Sequence, residues 1–262
     1  MKAVIKKINR ILFAALVGLS STALAEPILT VVTEEYPPYN YTNSEGELQG
    51  IAIDLAHLLL KKSGFADVDI QLLPWNKAYS MALNQPNTLI LTITRSPRRE
   101  ALFHWIGNIS AQNVYLYQSR HRKDISVSNL DSAKKYRVGA VKGWDTTVWL
   151  TQQGIPVLEI DKTWLGLKMM ELGSLDLTPN SELSLAYDAA KYGLNPRNYI
   201  KVLKIRATTT EFAMSKNSDI KLVRKLQKAY SKIRSSGDYQ RVYDNYVFLD
   251  LYEKPSMKNL TQ

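Results

Sequence analysis

The chain has 262 residues, 45% of them hydrophobic and 22% charged, with a formal net charge of +10. These are globular values, and the length allows one or two domains with a substantial core. There is no cysteine, which excludes a disulfide framework and a thiolate metal site, and the three histidines, His57, His104 and His121, lack ligand spacing, so neither a metal nor any other cofactor is expected.

The chain opens with a basic stretch, "MKAVIKKINR", and an apolar one, "ILFAALVGL", that falls short of the about 20 residues needed to span a bilayer. "SSTALA" then sets the small residues Ala23 and Ala25 where signal peptidase reads. Residues 1–25 are therefore expected to be a signal peptide cleaved before Glu26, which sends the mature protein to the periplasm. No cysteine stands at the cleavage point, so no lipid anchor is expected. The signal carries Lys2, Lys6, Lys7 and Arg10 and no acid, so its loss takes the charge from +10 to +6 and leaves 237 of the 262 residues. That modest excess, together with export, argues against nucleic acid and suits a small anionic or zwitterionic partner.

The mature chain then alternates strand and helix patterns. "PILTVVTEE" predicts a strand, and "GIAIDLAHLLLKKSG" a helix that ends in two lysines and is stopped by Gly64. "VDIQLLP" is a strand, "NKAYSMAL" a short helix and "NTLILTIT" a strand, an order that implies a mostly parallel sheet covered by helices. A second series follows: strand "YRVGAV", helix "DTTVWLTQQG", strand "PVLEI", helix "TWLGLKMMELG", strand "SLDLTP", helix "SELSLAYDAAKYG" and strand "YIKVLKI". "TTTEFAMSK" is a further strand, and "SDIKLVRKLQKAYSKIRSSG" and "DYQRVYDNYV" are terminal helices.

Two α/β series without a flexible linker imply two lobes joined by two crossings, "NVYLYQS" outward and "IRATTTEFAMS" back. Residues 26–115 and 207–255 are expected to form the first lobe, 116–206 the second, and 256–262 a tail. Such a hinge leaves a cleft, where small ligands are usually held.

"TITRSPRRE", residues 92–100, puts Arg95, Arg98 and Arg99 directly behind the apolar strand. They are either a solvated strand end or a site for an anion. Ser96-Pro97 reads as an N-cap followed by proline at the first helical position, so a short helix is expected there with Arg99 in its first turn.

The segments "EEYPPYNY", "GIAIDLAHLLLKKSG", "LPWNKAYSMAL", "TRSPRREALFHWIG", "VGAVKGWDTT", "MELGSLDL" and "SSGDYQRVYDNY", in this order, resemble the bacterial extracellular solute-binding proteins of the polar amino-acid branch. The resemblance covers nearly all of the mature chain. It implies the type II periplasmic-binding fold: α/β, two lobes, two mixed sheets flanked by helices, a two-strand hinge and a ligand cleft. By that resemblance Arg99 grips the ligand carboxylate, Thr94 adds a hydroxyl, and Thr92 stands where a backbone group binds the ligand's amino group. A guanidinium suits this role because it offers two parallel donors. Arg95 and Arg98 are expected to be solvated. Tyr36 and Trp75 would sandwich the ligand side chain, with Tyr39 as support.

From the second lobe, the turn through Gly143 into a helix offers free amides to an anion. The resemblance makes Lys142, Trp144 and Asp145 candidates there, and Thr146 stands where the family often has a second glycine. The acid that usually holds the ligand's amino group is missing: Ser181 occupies its position, with Glu182 beside it. Either Glu182 replaces it with a one-residue shift, or the ligand is not a standard α-amino acid.

No G-x-S-x-G, phosphate-loop, H-E-x-x-H or dinucleotide signature occurs. Glu34 and Glu35, adjacent in a strand, face opposite sides and make a poor acid/base pair. The expected function is therefore binding and not catalysis, and the resemblance implies a monomeric periplasmic protein that captures a small carboxylate-bearing solute, an amino acid or a derivative of one, and delivers it to an inner-membrane ABC permease. A sensory role at a membrane receptor is the alternative, and a dehydratase-like enzyme on the same fold is a more distant one.

Overall fold

The computed structural model describes residues 28–246. The signal-peptide reading and the tail at 256–262 lie outside the described residues. The chain begins with β1 (Thr30–Thr33), a small hairpin of β2 (Tyr41–Thr42) and β3 (Leu48–Gln49), and α1 (Ile51–Lys62). β4 (Ile70–Leu72), α2 (Trp75–Asn84) and β5 (Thr88–Arg95) complete the first series. β4 and β5 flank β1 in parallel.

α1 buries Ile51, Leu55, Leu59 and Leu60 against one face of this sheet. Val32, Ile90, Ile93 and Phe103 on the other face pack on Ala78 and Ala82 of α2. Strand side chains alternate between faces, and Leu89, Ile90 and Leu91 do so. The alternation then breaks at Thr92, whose φ is 53°. Ile93 consequently lands on the face of Ile90, and the pairing with the neighbouring strand shifts register between Glu211 and Ala213. This is a β-bulge, and it sits where the sheet meets the cleft.

Behind Ser96 the structure departs from the expected helix. The chain makes a tight turn, with the Arg99 amide donating to Ser96 O at 2.9 Å, and then one 3-10 turn at Glu100–Leu102. Pro97 favours a turn as readily as a helix start, and too few residues remain before the next strand for a helix to form.

That next strand, β6 (Phe103–Ser119), and its partner β10 (Tyr199–Ser215) are 17 residues each. They pair antiparallel along their whole length and run through both lobes. "YIKVLKI" and "TTTEFAMSK" are thus one strand, and the crossings are segments inside two long strands. Their ladder shifts register between Lys201 and Leu203, Lys204 and Arg206, Thr210 and Glu211, and Phe212 and Ala213. Bulges of this kind bend and twist a ribbon where it changes lobes.

The second lobe inserts α3 (Leu130–Ala133), β7 (Val138–Val141), α4 (Asp145–Gln152), β8 (Val157–Ile160), α5 (Thr163–Glu171), β9 (Thr178–Asn180) and α6 (Glu182–Lys191). β9 pairs with β6, giving a mixed six-stranded sheet in the order β4-β1-β5-β10-β6-β9. β7 and β8 form a parallel pair, bridged to this sheet by Val138 and Leu177. Leu116, Val138, Leu150 and Leu177 centre one core of this lobe, and Leu167, Met170, Leu185 and Tyr199 the other. α7 (Ile220–Ser235) and α8 (Asp238–Asp244) return to the first lobe, where Leu222, Leu226, Ile233, Tyr239 and Val242 join the core of α1.

Candidate ligand-binding site

The bulge in β5 delivers Thr92 and Thr94 to the cleft, and the turn after it returns Arg99 to the same place. Thr92 is 4% exposed, and its Oγ1 has no hydrogen-bond partner among the described residues. A β-branched residue in the left-handed region is strained, and such residues gather at functional sites.

Arg99 is 1% exposed. Its Nη1 donates to Thr94 O at 3.2 Å, and its guanidinium lies over the rings of Trp75 and Tyr79, at 5.0 and 4.9 Å from their centres. Nε and Nη2 have no hydrogen-bond partner among the described residues. Burial lowers the pKa of this group, and Asp145 opposes the shift. A buried cation with free donors calls for an acceptor.

Arg95 turns away from the cleft. Its Nε and Nη2 bond both oxygens of Glu100, at 2.8 and 2.5 Å, and it covers Trp105. Arg98 is half-exposed at the rim, yet its Nη2 donates to Asp145 at 3.2 Å.

The opposite wall is the start of α4. Gly143 has φ of 71°, and its carbonyl accepts from Trp75 Nε1 at 3.0 Å. A side chain there would strain the turn, because L residues disfavour this left-handed backbone. Trp144 Nε1 donates to Glu34 Oε2 at 3.0 Å, and its ring meets Tyr36 edge-on at 4.9 Å. Asp145 is buried: Oδ1 accepts from Ser96 Oγ at 2.9 Å, and Oδ2 lies 3.1 Å from Arg206 Nη2. Burial pushes the Asp145 carboxyl up, but Arg99, Ser96, Arg98 and Arg206 outweigh it, so it stays below the usual carboxylate range.

Tyr36 is held by Gln112, whose Nε2 donates to the phenol oxygen at 2.8 Å, and Tyr39 packs behind it at 5.2 Å, in the core. Thr146, Thr163, Thr178, Asn180 and Ser181 line the second-lobe wall. Ser181 caps α6 through the Ser184 amide, and Asn180 Nδ2 is buried without a partner among the described residues. About 50 Å³ of space remains between the walls, room for a few waters at roughly 10–15 Å³ each. Hydrogen bonds cross the cleft directly, from Trp75 to Gly143, from Ser96 to Asp145 and from Trp144 to Glu34. Outside the cleft Lys162 Nζ donates to Glu35 at 2.9 Å, and Lys191 lies 3.6 Å from it.

Two sequence candidates lie elsewhere. Glu182 pairs with Lys201 on the outside, so the one-residue shift does not bring its carboxylate to the cleft. The reason is helical: Ser181 caps α6 facing inward, and the next residue starts a helix about 100° round. Lys142 is exposed and 3.8 Å from Glu159.

Glu34 is the residue that sequence reasoning passed over. Just past the end of β1, its neighbour Glu35 points out to the lysines while Glu34 turns inward to 8% exposure. Burial pushes its carboxyl up to about 8, against the lowering effect of Trp144, Lys162 and Arg99. Two adjacent acids at the end of a buried strand were the available signal, because one of them had to face in.

The comparisons with known proteins agree with this architecture. Residues 28–249 match the bacterial extracellular solute-binding proteins, family 3. A probable histidine-binding protein of Neisseria gonorrhoeae is 23% identical over 81% of this chain and 80% of its own length. Among solved structures, a histidine kinase sensor domain similar to periplasmic binding proteins superposes with TM-score 0.75 at 16% identity, over 83% of this chain and 96% of its own. The arginine-, lysine-, histidine-binding protein ArtJ of Geobacillus stearothermophilus gives 0.72 at 15%, over 90% and 100%. The chain belongs to family 3 of the bacterial extracellular solute-binding proteins.

Proposed function

We propose that this protein captures a small amino acid or close derivative between its lobes in the periplasm and presents the closed form to an inner-membrane ABC permease. The observation that carries this reading is Arg99: a guanidinium 1% exposed, stacked on Trp75 and Tyr79, with Nη2 left over for a ligand carboxylate. Thr92 and Thr94 stand beside it. Glu34 supplies the acid for the ligand's ammonium in place of the one missing at Ser181. Tyr36, Trp75 and Trp144 enclose the side chain, and Asp145, Thr146 and Ser181 close the second-lobe wall. Among the described residues, one lobe is 28–115 with 207–246 and the other 116–206, hinged at the bulged ribbon of β6 and β10.

The relatives named for histidine, and for arginine, lysine and histidine, support an amino acid as the class. Binding without turnover is the expected behaviour of the monomer. A thermal-shift panel of L-histidine, L-arginine, L-lysine, L-glutamine and L-glutamate tests the reading, because a ligand of the folded state raises the melting temperature with dose. No shift with any of them, or steady turnover of one, sinks it.

A further inference from the structure

The turn Gly143–Asp145 presents two groups to the first lobe: an N–H donor, from Trp144 to Glu34, and a carboxylate, from Asp145 to Ser96 and Arg98 and toward Arg99. These are the groups an α-amino acid would present to the same partners. Asp145 Oδ1 stands 4.0 Å from Arg99 Nε, so it faces one edge of the guanidinium. Thr94 O takes Nη1. Nε and Nη2, the fork that could grip a carboxylate with two parallel bonds, have no hydrogen-bond partner among the described residues, and Asp145 stands beside the Nε edge of that fork.

We propose that Asp145 is a specificity-determining residue, an internal carboxylate that competes with the ligand's for Arg99 and disfavours ligands bearing a second carboxylate. The inference rests on reading the cleft as an amino-acid site. Asp145 is 6% exposed and held from both lobes, by Ser96 and Arg98 on one side and Arg206 on the other, so it does not swing away at small cost. The preferred class is a monocarboxylate with an ammonium and a neutral or cationic side chain.

The test is calorimetric titration of wild type and Asp145→Asn with L-arginine, L-glutamine and L-glutamate. Asparagine keeps the shape and can still accept from Ser96 and Arg98. The variant is expected to bind L-glutamate at least tenfold more tightly than wild type does, and to shift the glutamate-to-arginine affinity ratio by at least the same factor. If Asp145→Asn melts far below wild type, Asp145→Ser, which suits a helix start, carries the same comparison. An unchanged ratio overturns the inference and leaves the amino-acid reading intact. Wild type and variant both failing to bind any of the three overturns both. Binding that appears only in the variant supports Asp145 as the barrier.

Discussion

The indole N–H of Trp144 donates to Oε2 of Glu34 at 3.0 Å, so a turn of the second lobe is tied to the end of the first strand by a carboxyl buried in the cleft. That carboxyl has a pKa of about 8 when folded and near 4.5 otherwise. Between those values the folded state holds a proton that the unfolded state has lost, so its contribution to stability falls as pH rises. Glu34→Gln is expected to flatten the decline in melting temperature between pH 5 and pH 8, read by calorimetric melts. A decline as steep as that of wild type removes Glu34 from this account.

Ligand binding should run the other way. An ammonium needs the carboxylate form of Glu34, so below about pH 8 binding an amino acid expels a proton. Affinity should then rise with pH toward that value. Titrations in two buffers of different ionisation heat measure the released proton directly, and equal heats in both would refute the coupling.

Arg99→Ala removes the acceptor's two-donor partner. A hydrogen bond to a charged group contributes about 1.5–3 kcal/mol, and about 1.4 kcal/mol is tenfold in affinity. The expected loss is roughly tenfold to several hundredfold. Arg95→Ala should stay within a few-fold of wild type, since Arg95 is engaged with Glu100 and faces away from the cleft. Calorimetric titration of both variants against a ligand found in the thermal-shift panel decides it.

Thr92→Gly should be no less stable than wild type, unlike most glycines placed in strands. Left-handed backbone costs a branched residue about 1–2 kcal/mol, which glycine does not incur. The lost side chain gives up little, because its hydroxyl is buried without a partner among the described residues. Thr94→Gly, in ordinary strand, is the control that should lose stability in the same denaturant titration. Equal losses would show that Thr92 is not strained.

Gly107→Ala should destabilise strongly. A methyl there would sit 2.1 Å from the ring of Tyr230, which α7 packs against Gly107 of β6. Overpacking of this kind costs about 1–3 kcal/mol. A melt within error of wild type would mean that α7 packs differently.

Sequence by itself determined the family, through the resemblance of its ordered motifs, and also the α/β class and most elements, because these last rest on local periodicity, caps and turn residues that each segment carries alone. It also named Arg99 and, among several others, Asp145 as candidates, and both line the cleft. What only the tertiary structure decided depends on faces and registers. One bulge at Thr92 changes which residues enter the cleft. One step around α6 sends Glu182 out to Lys201. Of the two adjacent acids just past the end of β1, only the fold decides which one turns into the cleft, and Glu34 is the one. The turn at Ser96 and the unbroken length of β6 and β10 were likewise settled by pairing between strands distant in sequence. Such pairing has no signature within either strand, since the ladder is made from backbone groups that every residue carries.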